Sequence, residues 1–407
     1  MRILYLHQYF VTPAEPGGTR SYQMARRWSA DHEVMMITTD RDASNTFRGW
    51  RQRDVDGIKV HSCSVPYSNH MSYRERIRAF GSFATRAGQY AASLGGDVVF
   101  ATSTPLTIAI PGAIASRRLG VPMVFEIRDL WPEMPIAVGA LRSRPLIRAA
   151  RALERFAYRN SSRIVALSPD MAKSVIASGY PRECVRVVPN SADNAEFESA
   201  QRGTGAVFSA LPQLLDRPFI AYCGTLGELN GVDYLVELAA ESLRLGDPLG
   251  FLIVGDGKDK SRVEARAREL GVLGTNLWLH GPIPKRDVMS VFATAVACCS
   301  LFRDIPEMWA NSANKFFDSL AAGKPAIINY GGWQADLIGE ESCGLVLPPG
   351  KPAQAAALLR DFVRDPARLA ACAANAKRVA LSRFDRDQLS RDLLAVLQDA
   401  VSTHARQ

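Results

Sequence analysis

A chain of 407 residues with 47% hydrophobic and 22% charged residues holds apolar material for two cores of about 200 residues each, because single cores stop growing near 250 to 300 residues. Its 49 Lys and Arg against 41 Asp and Glu give a formal charge of +8, which favours anionic partners such as nucleotides, a membrane surface or nucleic acid. Seven cysteines (63, 184, 223, 298, 299, 343 and 372) are odd in number and form no CxxC pair, which argues against a disulfide framework or a thiolate zinc cluster and fits a reducing cytoplasm.

Met1 to Leu6 is too short an apolar run for a signal-peptide core. The longest apolar stretch, Leu106 to Ala115, contains Pro111 and falls well under the ~20 residues of a spanning helix. Any membrane association is therefore expected to be peripheral.

Short apolar runs alternate with helix-period segments from end to end, the pattern of a parallel sheet wound by crossover helices and hence of the α/β class. Strands are expected at Ile3 to Leu6, Glu33 to Thr38, Lys59 to Ser62, Asp97 to Ala101, Met123 to Glu126 and Arg163 to Leu167, with helices near 19–29, 72–94, 105–119, 143–160 and 169–178. Residues 191–217 lose the strand pattern and read as a linker with a short helical piece. The alternation restarts with strands at Phe219 to Cys223, Phe251 to Val254, Asn276 to Leu279, Ala297 to Ser300, Pro325 to Ile328 and Gly344 to Leu347. Helices are expected at 231–245, 258–270, 285–294, 315–322, 352–363 and 366–381. The expected domains are 1–190, a linker at 191–217, a second Rossmann-like domain at 218–384, and a terminal helix within 385–407 that packs back on the first domain.

Three glycine-bearing loops follow expected strands. Gly17 and Gly18 sit in a long loop that feeds a helix, where backbone N–H groups and a helix N-terminus suit an anion. Gly224 and Thr225 lie in YCGTLGELNG, at the equivalent place in the second half, and Gly255 and Lys258 lie in VGDGKDK. None is GxGxxG, so dinucleotide binding is disfavoured. In NKFFDSLAAGKP, Lys315 and Asp318 fall one helical turn apart and project to one face, offering a cation for a phosphate and a carboxylate for a diol.

Glu126, Arg128, Asp129 and Glu133 crowd the end of an apolar strand, where open α/β sheets bind ligands; a loop salt-bridged by Arg128 is the alternative. Six histidines (7, 32, 61, 70, 280 and 404) show no HExxH, and the Asp-x-Asp triplets at 40–42, 54–56 and 385–387 do not directly end an apolar strand. No metal and no cofactor is expected. Two arginine-bearing helices, with Arg74, Arg76 and Arg78 in one and Arg142, Arg144, Arg148, Arg151, Arg155 and Arg159 around the other, are candidates for shallow contact with anionic lipid.

The GG loop at 17–18, FEIRDLWPE at 125–133, VRVVPNSAD at 185–193, CGTLGELNG, VGDG, LHGPIP at 279–284 and NKFFDSLAAGKPAI together resemble the family 4 retaining glycosyltransferases of the GT-B fold over essentially the whole chain. The DLWPE and NKFFD wording is similar to the subgroup that builds bacterial O-antigen, capsule or exopolysaccharide, including N-acetylfucosaminyl transferases. The resemblance implies two Rossmann-like domains about a cleft and a nucleotide-sugar donor, a UDP-sugar first. It implies an acceptor that is polyprenyl-diphosphate-linked or a saccharide, no nucleic-acid partner, and a cytoplasmic place on the inner face of the plasma membrane.

It also implies roles. Ile283 would hold the base through its backbone, Asp318 the ribose diol and Gly18 the diphosphate, while Asp129 would face the acceptor and the reacting sugar. Ala310 stands where the family has Glu, with Asn311 or Ser312 as substitutes beside Asn314, and Thr225 and Asn230 stand where relatives carry Arg and Lys. Phosphate charge then falls to Lys315, with Arg303 or Lys258 as lesser candidates. A nucleotide-sugar 2-epimerase of the same fold, or a catalytically idle nucleotide-sugar binder, are the alternatives.

Overall fold

Apolar runs bounded by turn formers become the central strands of two sheets in the computed structural model, which describes residues 1–15, 17–42, 46–66, 71, 73–103 and 105–406. His70 and the side chains of Tyr73 and Arg76 lie outside the described residues. The chain divides into two units, one of Met1–Pro189 with Asp387–Gln407 and one of Asn190–Arg386.

The first unit holds β1 (Arg2–Leu6), β2 (Glu33–Asp40), β3 (Arg51–Val55), β4 (Ile58–Ser64), β5 (Val98–Thr102), β6 (Met123–Ile127), β7 (Arg163–Ala166) and β8 (Val185–Val187). Their order is β3-β4-β2-β1-β5-β6-β7-β8, and every pairing except β3 with β4 is parallel. Strand β3 is absent from the sequence expectation because its residues Arg51 to Asp54 are exposed and polar. It is half of a hairpin closed by Asp56-Gly57, both at positive φ (51° and 84°), the turn whose twist matches paired strands. The Asp54-Val55-Asp56 triplet is therefore turn chemistry: the Asp54 carboxylate accepts from the Gly57 N–H at 3.0 Å.

From β4 onward each parallel crossover steps the same way across the sheet, so the right-handed rule sends the helices Tyr73–Leu94, Ala109–Leu119, Arg144–Arg159 and Pro169–Ala177 to one face. Gly88 lets the first two of these approach closely, since a Cβ there would stand 2.9 Å from Ile114 Cβ. A second cluster joins Tyr22, Met24, Ala25 and Trp28 of the helix Arg20–Trp28 to Leu389, Leu393, Val396, Leu397 and Ala400 of the terminal helix Arg386–His404.

The second unit holds β9 (Phe219–Cys223), β10 (Gly250–Val254), β11 (Leu277–His280), β12 (Ala297–Ser300), β13 (Ala326–Ile328) and β14 (Gly344–Val346), all parallel, in the order β11-β10-β9-β12-β13-β14. Residues 191–217 carry two short helices, Asn194–Glu198 and Ala206–Ala210, and bury Phe197, Val207, Phe208 and Leu214. A helix at Trp333–Glu341, missed in the sequence, buries Trp333, Leu337 and Ile338 along one stripe. Among the described residues no helix is long and apolar enough to cross a membrane.

Candidate active site

In the second unit the strand order reverses between β9 and β12. At such a switch point the loops after the strand C-termini part and leave a crevice. The loop after β9 is drawn against the loop after β10: the Gly224 N–H donates to the Val254 carbonyl, the Leu226 N–H to that of Asp256 and the Asp259 N–H to that of Leu226, each at 2.9 Å. A Cβ on Gly255 would stand 1.9 Å from the Gly224 oxygen. Gly255 is thus required by contact between two backbones, before any ligand is considered.

Lys315 lies across this junction. A Cβ on Gly224 would fall 2.2 Å from Lys315 Cε, and Lys315 Nζ sits 5.1 Å from the centre of the Tyr222 ring. The helix that carries it, Asn314–Ala321, buries Phe316, Phe317, Leu320 and Ala321 and stops where Gly323 (φ 62°) turns left-handed. There the Lys324 N–H reaches the Ser319 carbonyl and the Gly323 N–H that of Leu320, both at 3.0 Å, which closes the last turn. The other end has no side-chain cap: Ala313 at the N-cap offers no side-chain acceptor, and in the first turn the Phe316 N–H bonds back to the Ala313 carbonyl at 3.1 Å, so the partial positive charge of the helix start is met by no side chain there. Burial pushes the half-buried Lys315 ammonium down to about 8, against the opposing pull of the Asp318 carboxylate.

One turn later Asp318 Oδ2 accepts from Lys285 Nζ at 2.7 Å, with Asp318 largely shielded at 14% side-chain exposure. Lys285 opens the helix Lys285–Thr294 directly after the turn 281–284 that holds half-buried Ile283, so the base-loop candidate and the diol candidate are tied through one ion pair. Lys285 is missing from the sequence expectations. Its only signal was a lysine two residues beyond Ile283, at a helix start.

Other candidates fare unevenly. Ser312 is engaged within the fold: its Oγ accepts from the Asn190 N–H at 3.2 Å and its carbonyl from Asn190 Nδ2 at 2.7 Å. Asn311 is buried, its carbonyl takes the Trp333 Nε1–H at 3.2 Å, and its Oδ1 has no partner in the fold. Asn314 is exposed at the helix start, and so are Thr225 and Lys258 in their loops. Arg303 pairs with Glu228 at 3.1 Å, both more than half exposed, and donates its N–H to the Leu229 carbonyl, which sets it beside the 224–231 loop.

In the first unit the order reverses between β1 and β5, and Gly17 and Gly18 are exposed in the loop that leads to the helix Arg20–Trp28. The polar crowd at the end of β6 is not one wall. Glu126 is fully buried against Arg20, at 2.9 Å, so neither the cleft wall nor the alternative of a loop held by Arg128 accounts for it. Arg128 donates its N–H to Ser103 Oγ at 2.9 Å and lies 3.4 Å from His7 Nε2, and Glu133 pairs with Arg151 at 3.2 Å. Asp129 is left, and burial holds its carboxyl above the ordinary carboxylate range against the pull of Arg128. Among the described residues no group of three or more His, Cys, Asp or Glu is placed to hold a metal ion.

Residues 17–191 match the family described as glycosyl transferase 4-like domain, and residues 208–379 match glycosyl transferases group 1. The chain is 27% identical over 263 residues to 2-deoxystreptamine glucosyltransferase of Streptomyces kanamyceticus, a match that spans 63% of this chain and 65% of that protein, just under two thirds. Its fold is similar to that of Alr3699/HepE of Anabaena, solved with UDP-glucose (TM-score 0.72, 18% identity, 98% of this chain and 100% of that one). It is similar as well to that of WaaG, a glycosyltransferase involved in lipopolysaccharide biosynthesis (TM-score 0.70, 18% identity, 97% of this chain and 99% of that one).

Proposed function

The chain belongs to the family 4 type of GT-B glycosyltransferases, and we propose that it moves a sugar, with retention, from a nucleoside diphosphate donor, a UDP-sugar first, to a lipid-linked or saccharide acceptor in surface polysaccharide synthesis. Lys315 carries the reading. A half-buried ammonium with a depressed pKa, lying on the Gly224 backbone at an uncapped helix start, is poised for an anion. The task of the site is to stabilise the departing diphosphate, where charge develops in the transition state. The acceptor hydroxyl attacks on the face the leaving group vacates, which retains the anomeric configuration. Asp129 is the proposed acceptor-side group, and its raised carboxyl pKa suits a residue that exchanges a proton with that hydroxyl.

A screen of UDP-, GDP- and dTDP-sugars for protection against thermal unfolding tests the donor. A ligand at about 100 times its dissociation constant adds roughly 2.7 kcal/mol of stability, and protection by none of the three would overturn the reading. Release of free UDP only on adding acceptor separates transfer from epimerisation and from idle binding. Turnover is expected to persist in EDTA, because Lys315 and the uncapped helix start meet the diphosphate charge. Loss restored by Mg²⁺ would overturn that.

Two further results follow from the site. Asp318→Asn should weaken UDP binding by about 1.5 to 3 kcal/mol if the carboxylate holds the ribose diol. Calorimetry that shows UDP affinity intact would leave Asp318 as the structural partner of Lys285. UDP affinity should also fall as pH rises above about 8. Below that pH Lys315 is charged in both free and bound protein, whereas above it binding must take up a proton, so the dissociation constant climbs up to about tenfold per pH unit. Lys315→Arg should flatten that profile, and an unchanged slope would assign it to another group.

A further inference from the structure

His7 directly follows β1, Arg41 follows β2, Ser103 follows β5 and Arg128 follows β6, each as the first residue past its strand. The sheet order runs β2-β1-β5-β6, so these positions stand side by side at the end where the order of the first unit reverses. Ser103 fixes Arg128 from the backbone, its Oγ accepting the Arg128 N–H at 2.9 Å.

His7 is 3% exposed, and its Nε2 lies 3.4 Å from Arg128 Nη1. A guanidinium only donates, so Nε2 is the acceptor and the ring proton sits on Nδ1. That Nδ1 has no hydrogen-bond partner in the fold. Burial, with Arg128 and then Arg41 beside it, holds the imidazole well below its ordinary pKa, so the ring is neutral and the charge here is that of the arginines.

The arginines lack counter-charge. Both are half-buried, and among the described residues no carboxylate forms an ion pair with either. Glu126, the acid at the end of β6, is occupied by Arg20 at 2.9 Å, and Asp129 feels Arg128 only at longer range. Asp40, beside Arg41 in the chain, accepts from the Asp42 N–H at 3.1 Å. The unmet groups at the His7–Arg128 contact are thus all donors, a buried N–H and a guanidinium, and an oxyanion is the ligand that satisfies both kinds.

We propose that this crevice of the first unit binds a phosphate group of the acceptor, with the Arg128 guanidinium as its main cation, His7 Nδ1–H as a neutral donor and Arg41 as a second cation beyond His7. The assignment rests on the reading in which the second unit takes the donor, and it deepens that reading by making the acceptor a phosphate-bearing one. Two cations and a neutral donor match a dianionic phosphate better than a singly charged carboxylate. A saccharide with hydroxyls alone would leave both guanidiniums without counter-charge.

Pyrophosphate titrated by calorimetry into the full chain saturated with UDP reads this site apart from the donor site. Binding is expected, and Arg128→Met should weaken it by about 10- to 100-fold, the factor that loss of a hydrogen bond to a charged group brings. Arg128→Lys should recover part of the loss, since lysine keeps the charge without the planar fork. His7→Leu should weaken binding by a smaller factor and His7→Asn less still, because the Asn amide restores an N–H. UDP affinity and the thermal midpoint should hold in the Arg128 variants, which separates a lost site from lost folding. No pyrophosphate bound by the UDP-saturated chain would overturn the proposal, as would unchanged binding in Arg128→Met. Equal binding of acetate would make the site one for carboxylates and overturn the phosphate assignment. An equal loss of UDP affinity in Arg128→Met would give the guanidinium to the donor and overturn it too. If UDP itself fails to bind, the donor reading falls, and the same titration without UDP still decides for or against Arg128.

Discussion

Arg20→Met is expected to destabilise the protein by roughly 3 to 5 kcal/mol, the scale seen when one partner of a buried ion pair is removed and the other charge is left behind. Arg20 and Glu126 keep 4% and 0% of their side-chain surface, and the guanidinium bonds the carboxylate through Nε at 3.0 Å and Nη2 at 2.9 Å. Nη1 donates to the Pro189 carbonyl at 2.6 Å and Nη2 to that of Val188 at 2.9 Å, while Thr102 Oγ1 donates to the second Glu126 oxygen at 2.6 Å. The substitution therefore strands the buried carboxylate and the buried Val188 carbonyl, and takes the donor from the part-buried Pro189 carbonyl. Arg20→Met with Glu126→Leu should recover most of the loss, because two apolar groups of similar volume carry no such penalty. Urea unfolding measures both, and a single variant within about 1 kcal/mol of wild type would show that the interior tolerates the lone acid.

The alternation of strands and helices was legible because parallel strands, covered on both faces, read as unbroken apolar runs such as FIAYC at 219–223 and GFLIV at 250–254. Strand β3 was not, since an edge strand with exposed Arg51, Gln52, Arg53 and Asp54 carries no apolar signal. Asp56-Gly57 held the cue, as the dipeptide that closes two-residue hairpins. The helix Trp333–Glu341 starts directly after Gly331 and Gly332, a pair that masks a helix start in sequence; a Cβ on Gly332 would stand 2.7 Å from the Trp309 carbonyl, so close packing fixes it.

At the site, the spacing of Lys315 and Asp318 was visible because both lie on one helix, where a 3.6-residue period converts sequence into a shared face. Partners from distant segments were not. Lys285 reaches Asp318 from 33 positions away and Arg20 reaches Glu126 from 106, and no local pattern encodes either encounter. At Gly255 two readings of one glycine coincide. Its loop resembled a phosphate cradle, yet its lack of a side chain is already demanded by the Gly224 carbonyl.

Lys315→Ala is expected to lower the rate constant by about 10²- to 10³-fold, the scale of removing one donor that stabilises developing negative charge. The loss should fall on kcat far more than on donor affinity, if the ammonium meets its full counter-charge only as the sugar departs. Lys315→Ala should fold, because the Lys315 ammonium is neither buried in an ion pair nor part of the apolar stripe of Phe316, Phe317 and Leu320. Thr225 is exposed in the loop after β9 and Asn230 lies half-buried in it, at the places where the resemblance implies basic residues, so Thr225→Arg with Asn230→Lys should partly rescue the Lys315→Ala enzyme if that loop faces the same phosphates. Arg303 supplies the control, since its exposed pair with Glu228 is weak enough to be given up for a diphosphate. Near-normal turnover in Lys315→Ala, with a large loss in Arg303→Ala, would move the counter-charge to Arg303 and remove Lys315 from the chemistry.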